Sequence, residues 1–238
     1  MPERVPRSPP GLQCEALVWR RYDFRETSRI VVLLSRDHGR LQVLAKGAHR
    51  PNSPLLGRLD FLNELKVRVS ADRGGLRLLV RAELLRERRT LRQPARYLAA
   101  SYWVELCNYG FPDDRPDPDL FDLVSGGLTL IERCPPASVQ PFVLGLELRF
   151  LAHLGALPDL ERCADCSAPL GEAAYLASAG GLACRAHAPA PRRAIANRAW
   201  EQLRQLATTP GRRWPEFSTG ASSARSLKET RGLPTAGE

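Results

Sequence analysis

No stretch of the sequence approaches 18 consecutive apolar residues, so no transmembrane helix is expected. The first ten residues, MPERVPRSPP, contain no apolar h-region and give no secretory signal, so a cytoplasmic protein is expected. Six cysteines in 238 residues are too few for a disulfide-stapled scaffold, and reduced thiols fit that compartment. Glycine-rich phosphate loops are missing: Arg73-Gly74-Gly75 and Gly180-Gly181 match neither the Walker nor the Rossmann spacing, and no nucleotide cofactor is expected. No Gly-x-Ser-x-Gly element occurs. Paired carboxylates appear only between Asp113 and Asp122, where starting a helix is the simpler use of acids. His38 falls in a turn, His49 in a basic loop, and His153 among Phe150, Leu151 and Leu154, a setting of packing more than of proton transfer. These absences argue against an enzyme. With 43% hydrophobic and 26% charged residues and no internal repeat, the composition excludes a disordered chain, a collagen repeat and a coiled-coil rod.

What the chain does have is arginine, unevenly placed. Only Lys46, Lys66 and Lys228 are lysines among 35 basic residues, and the formal net charge is +9. Residues 1–82 hold 16 basic against 8 acidic side chains, and Arg86, Arg88, Arg89, Arg92 and Arg96 follow directly. Residues 97–172 reverse the sign, with 4 basic against 12 acidic side chains, and residues 173–238 return to 10 against 4. A basic small domain points to a polyanionic partner, and an acidic middle to a different one. Solvated arginine faces are the bland alternative.

The hydrophobic period changes near residue 94. Before it, Gln13–Trp19, Ser28–Ser35, Arg40–Lys46, Phe61–Ser70 and Leu76–Leu85 read as strands, with strict alternation at Leu41, Val43 and Ala45 and again at Leu65, Val67 and Val69. Asp37–Gly39 and Asp72–Gly75 read as turns, and Gly47–Gly57 as a loop. Five short strands with Gly-bearing turns fit an OB-fold barrel, with an SH3-like barrel also compatible. After it, helices are predicted over Tyr97–Tyr109, Leu120–Cys134, Ser138–His153 and residues 194–207, with Pro116–Asp119 as a helix start. The fold class expected is α+β multidomain: an OB-fold barrel over residues 1–82, a helical domain over 83–214, and a disordered tail over 215–238, poor in large apolar residues.

The sharpest local pattern is Cys163-x2-Cys166, then 17 residues, then Cys184-x2-His187. Each pair can place two donors on one tetrahedral ion, and thiolate with imidazole is a zinc donor set. Gly180-Gly181 suits the tight backbone of the second knuckle. Four protein ligands close the shell, so the zinc expected is structural. A zinc deaminase would also need His-x-Glu upstream of Pro-Cys-x-x-Cys, and Arg162, not proline, precedes Cys163.

Several strings resemble the RecO family of bacterial recombination mediators. They are Tyr22-Asp23-Phe24-Arg25-Glu26-Thr27-Ser28-Arg29-Ile30, Ser35-Arg36-Asp37-His38-Gly39-Arg40, and Leu44-Ala45-Lys46-Gly47-Ala48 with the following His49-Arg50-Pro51. The strand near Leu55–Phe61, the helix at Ala95–Tyr102, and Phe150–Leu160 leading into Cys163-x2-Cys166 extend the likeness over roughly residues 12–190. In that family the fourth ligand is commonly cysteine, where His187 stands here, and position 24 more usually carries Glu or Gly than Phe. The resemblance implies an OB-fold, a helical domain and a zinc knuckle. It implies a non-catalytic role: binding single- and double-stranded DNA, annealing complementary strands, contacting single-strand-binding protein, and pairing with RecR to load RecA.

On that reading the candidate DNA contacts are Arg20, Arg21, Arg29, Arg36, Arg40, Lys46, His49, Arg50, Lys66 and Arg68, with Tyr22 and Phe24, placed in a turn, as stacking platforms. Trp19 sits inside a strand and reads as core. Arg149 and Arg162 are the basic residues available to orient the acidic, apolar-ended tail of single-strand-binding protein on the acidic middle. The alternative is a protein–protein adaptor whose basic charge is incidental.

Overall fold

The computed structural model describes residues 11–71, 76–111 and 115–217. The turn expected at Asp72–Gly75 and most of the tail expected after Pro215 lie outside them. The described residues fall into two compact units. One holds the chain through Pro94 together with Val104–Ser125, and the other holds Ala95–Trp103 and the residues from Gly126 onward.

The first unit is built on five strands, β1 (Leu12–Phe24), β2 (Ser28–Ser35), β3 (Gly39–Ala45), β4 (Glu64–Val69) and β5 (Arg77–Arg86), closed in the order β1-β2-β3-β5-β4. Neighbours are antiparallel except β3 and β5, which meet in parallel at Val43–Arg77 and Leu44–Leu78. The barrel is OB-like, and the SH3-like alternative does not form. The alternating positions point inward as the pattern predicts: Leu41, Val43, Ala45, Leu65, Val67 and Val69 join Val18, Val31 and Leu33 in one buried cluster. Each buried Val or Leu contributes about 1.5–3 kcal/mol of transfer free energy.

β2 is buried on both faces, since Val32 and Leu34 are buried along with Val31 and Leu33. On β1 the register against β2 steps from Val18–Leu33 to Arg20–Val32, leaving Trp19 as the extra residue of a bulge. A bulge re-aims its side chain. Trp19 is fully buried, donates its indole N–H to Asn108 Oδ1 at 3.1 Å, and meets the edge of Phe111 at a centroid distance of 5.6 Å. β1 also runs on past the expected end at Trp19. Arg21, Tyr22, Asp23 and Phe24 pair with Val31, Ile30, Arg29 and Ser28, so Tyr22 and Phe24 are strand residues and the turn is Arg25–Thr27. The reason is that ladder hydrogen bonds need no apolar side chain, so a polar strand end leaves no period in the sequence.

Helices α1 (Pro94–Asn108), α2 (Pro118–Arg133), α3 (Val139–His153) and α4 (Asn197–Thr208) lie within two or three residues of their predicted bounds. Asp117 starts α2 by accepting the Leu120 backbone N–H on Oδ1 at 2.9 Å, the capping role its carboxylate suits. In the second unit the edge of Trp103 meets Phe150 at 6.2 Å, and Phe142 meets Trp214 at 5.6 Å. Arg96 is buried, and its guanidinium donates to the carbonyls of Ile131, Glu132 and Cys134, closing the C-terminal end of α2. Two short strands, β6 (Tyr175–Leu176) and β7 (Leu182–Ala183), form a hairpin between α3 and α4. No helix among the described residues is long and apolar enough to cross a membrane.

Candidate metal centre and nucleic-acid interface

The backbone brings the four predicted ligands together. Cys163 opens a tight turn in which Ser167 N–H returns to the Cys163 carbonyl at 2.9 Å and Cys163 N–H to that of Ala168 at 2.9 Å. Ala164 N–H reaches the Leu182 carbonyl at 2.8 Å, tying this turn to the β6–β7 hairpin, and His187 N–H closes on the Cys184 carbonyl at 3.1 Å. Gly180 and Gly181, at φ of 92° and 83°, serve the hairpin turn just ahead of β7, with Ala177 N–H on the Gly181 carbonyl, and not the second knuckle itself as the spacing suggested.

Cys163 Sγ lies 3.9 Å from His187 Nδ1, Cys184 Sγ 3.2 Å from the same nitrogen, and Cys166 Sγ 4.0 Å from Cys184 Sγ, with all four donors within 4.8 Å of one another. An ion bonded tetrahedrally to nitrogen and sulfur spaces its donors roughly 3.3–3.8 Å apart, so this set fits one metal ion. Backbone N–H groups of Cys166 and Cys184 hold the Cys163 thiol below its ordinary value, and those of His187 and Ala186 do the same for Cys184, favouring thiolate at these two positions. Cys166, despite the Ala168 N–H, is pushed up by desolvation and by the Cys163 and Cys184 thiols. Around the ligands Cys163, Leu170, Ala174, Leu182, Ala183, Ile195, Ala199 and Trp200 form a small core of their own. Trp200 is fixed there by its indole N–H to the Leu160 carbonyl at 2.8 Å and by Arg204 over its ring.

The predicted basic contacts separate by what their side chains meet. Arg20 pairs with Glu105 at 2.6 Å, Arg21 with Asp60, Arg36 with Asp122 in a two-pronged contact at 2.9–3.0 Å, and Arg40 donates to the carbonyls of Asn108 and Phe111. Arg29 and His49 both reach Asp23 Oδ1, at 3.0 and 2.9 Å, and hold its carboxyl below the ordinary range, Arg29 first and His49 second. Lys46 and Arg50 differ from these: neither side chain makes an ion pair or hydrogen bond with another described residue. Two concavities, of about 550 and 540 Å³, meet at Lys46, Gly47 and Arg50. One continues along Phe24 and Arg25 at the β1–β2 turn, and the other along Arg58, Val80 and Arg81. Lys66 and Arg68 line a smaller hollow of about 140 Å³ with Gln13 and Arg81 on the outer surface of the barrel. Tyr22 is half exposed on the outer face of β1.

Sequence reasoning missed Arg25, Arg58 and Arg81 as lining residues. Arg81 was marked only by its outward place in the β5 alternation, and Arg58 by following Gly57 in the basic loop. Arg149 gives one guanidinium nitrogen to the Thr209 carbonyl at 2.6 Å, and Arg162 bonds the Ser167 carbonyl at 3.0 Å within the first knuckle.

Residues 11–88 match the family model described as recombination protein O N terminal, and residues 91–231 the one described as recombination protein O C terminal. Among curated proteins, DNA repair protein RecO of Exiguobacterium sibiricum is 33% identical over 179 residues, spanning 74% of this chain and 70% of the relative. That of Acidithiobacillus ferrooxidans is 37% identical over 178 residues (73% and 68%), and that of Rhodopirellula baltica 32% over 204 (82% and 74%). An OB-like barrel followed by a helical part with a Cys3His cluster agrees with both matches, and the chain belongs to the RecO family of DNA repair and recombination proteins, a family of non-enzymatic recombination mediators.

Proposed function

We propose that this chain is a recombination mediator that binds single- and double-stranded DNA on the barrel, anneals complementary strands and, with RecR, helps load RecA onto strands covered by single-strand-binding protein. The observation that carries this reading is the meeting of two concavities at Lys46 and Arg50, cations with no partner among the described residues, on a barrel where most other candidate arginines are already paired. A cation with no internal partner has its full charge available for phosphate, and release of condensed counter-ions supplies the affinity. Phe24 and Arg25 line the same surface and offer stacking planes to bases. The paired arginines contribute to the field around the barrel without leading the contact.

The Cys163, Cys166, Cys184 and His187 donors suit zinc in a structural role, since four protein ligands leave no position for water. Arg149 and Arg162 stand as orienting cations for the acidic, apolar-ended tail of single-strand-binding protein. Strand annealing of two labelled complementary oligonucleotides, without nucleotide, tests the reading. The wild-type chain accelerates annealing, and Lys46→Glu/Arg50→Glu slows it by roughly tenfold at physiological salt. A variant as fast as wild type removes this face from the DNA path.

A further inference from the structure

The knuckle module carries a feature that neither the metal nor the barrel accounts for. From Ala173 to Trp200 the chain has no carboxylate and four arginines, Arg185, Arg192, Arg193 and Arg198. All four are exposed, and none makes an ion pair or a side-chain hydrogen bond with another described residue. Of the module's other cations, Arg204 pairs with Glu161 at 2.8 Å and lies near Glu201, and Arg162 donates to the Ser167 carbonyl. Its acids are partly committed too, Asp159 accepting the backbone N–H groups of Glu161 and Arg162.

The four arginines are held on rigid supports. Arg185 stands between the ligands Cys184 and His187. Arg192 and Arg193 precede Ala194, which bridges Tyr175 of β6, while Leu176 N–H bonds the Arg193 carbonyl at 3.1 Å and Ile195 N–H that of Ala174 at 2.9 Å. β7, β6 and the 193–195 segment therefore lie side by side, at the roughly 4.8 Å spacing of paired strands, over the small core that includes Ile195 and Trp200. Arg198 sits in the first turn of α4, where a cation opposes the helix dipole, so helix stability does not explain it.

We infer that Arg185, Arg192, Arg193 and Arg198 form a second surface for the phosphate backbone of nucleic acid, carried by the knuckle module and not by the barrel. The inference rests on the proposed function only for the identity of the polyanion. Phosphate backbone fits better than an acidic peptide with an apolar end, because Leu176 is the only large apolar side chain among the described residues of this module that is well exposed. Cations with little apolar area around them favour charge neutralisation over burial. Two separate backbone sites on one chain give it a means of holding two strands at once.

The test uses the full chain with zinc retained and an eight-nucleotide oligothymidine. Wild type binds two oligonucleotides, while Arg185→Gln/Arg192→Gln/Arg193→Gln/Arg198→Gln binds one, with a salt slope shallower by about 1.4–2.8 for two to four lost contacts. Lys46→Glu/Arg50→Glu also binds one, and the quadruple lysine variant restores two. Metal content and circular dichroism equal to wild type show that the glutamine variant is folded. If wild type binds one oligonucleotide and the barrel variant none, the inference falls and the barrel reading stands. If wild type binds one and only the arginine variant loses it, the barrel reading fails and the knuckle surface stands. If the glutamine variant loses a polyglutamate peptide but keeps two oligonucleotides, the surface docks protein and the inference is overturned.

Discussion

Replacing one metal ligand separates coordination from packing, because two of the ligands differ in exposure. Cys166 is exposed, whereas Cys163 is buried at 2% of its accessible surface. Cys166→Ser removes one ligand and almost no packing, and a surface substitution without a ligand role costs within about 0.5 kcal/mol. Structural zinc contributes about 10–16 kcal/mol in small zinc-folded peptides, or roughly 2.5–4 kcal/mol for each of four ligands. The Cys166→Ser variant is therefore expected to hold its metal about 3 kcal/mol more weakly, roughly a hundredfold in affinity, and to lose that much local stability. The readout is amide hydrogen exchange at Ala164, Ser167 and His187, whose N–H groups close the turns around the site, together with elemental analysis. Exchange there should quicken by roughly two orders of magnitude, while amides of β2 and β3 stay protected.

The acid side of the curve has a defined sign. Cys163 and Cys184 are held below their ordinary value of 9.0, so the stability they contribute is present above that value and is lost as pH falls through their folded values. Metal release should follow the same direction as acid protonates the ligands. Protein purified without chelator that contains no zinc, or a Cys166→Ser chain with unchanged exchange and full metal, would falsify the assignment.

Arg96→Met strips the carbonyls of Ile131, Glu132 and Cys134 of their common donor; Ile131 still accepts from the Cys134 thiol at 3.4 Å, so with two carbonyls orphaned at about 1–3 kcal/mol each the second unit should lose roughly 2–6 kcal/mol by chemical denaturation. A loss under about 1 kcal/mol would mean the carbonyls find other partners. Gly145→Ala places a Cβ 2.6 Å from the Trp214 ring and should destabilise by about 1–3 kcal/mol, whereas Gly126→Ala meets nothing within 4 Å and should stabilise by about 1 kcal/mol. Equal effects at the two glycines would refute the close approach. Asp23, held below its ordinary 3.8 by Arg29 and then His49, contributes stability that is present above 3.8 and lost as pH falls through the lowered value. Carbon-detected titration should find its midpoint below 3.8 and see it rise in Arg29→Ala; a midpoint that Arg29→Ala leaves in place removes the ion pair as the cause.

The barrel and the Cys3His cluster were legible in the sequence because each depends on spacing. Leu65, Val67 and Val69 alternate because one face of β4 is buried, and Cys163-x2-Cys166 places two donors on one turn whatever surrounds them. What could not be read depends on residues far apart in the chain. Arg20 meets Glu105 and Arg36 meets Asp122 across more than 80 residues, so charge alone could not sort spent arginines from available ones. Trp19 was legible as core, but not as the extra residue of a bulge buried against Phe111. β6 and β7 have two residues each, too few to show a period, and so the arginines they support read only as a basic stretch of the last third.

The salt dependence of binding to an unstructured single-stranded oligonucleotide tests the central claim most directly. Log affinity against log salt should be linear and steep for the wild-type chain, and shallower by about 1.4 for Lys46→Glu/Arg50→Glu, with affinity lowered on every sequence tried. A slope unchanged by the double substitution would contradict the account, because cations that neutralise phosphate cannot be reversed in sign without changing the number of ions released.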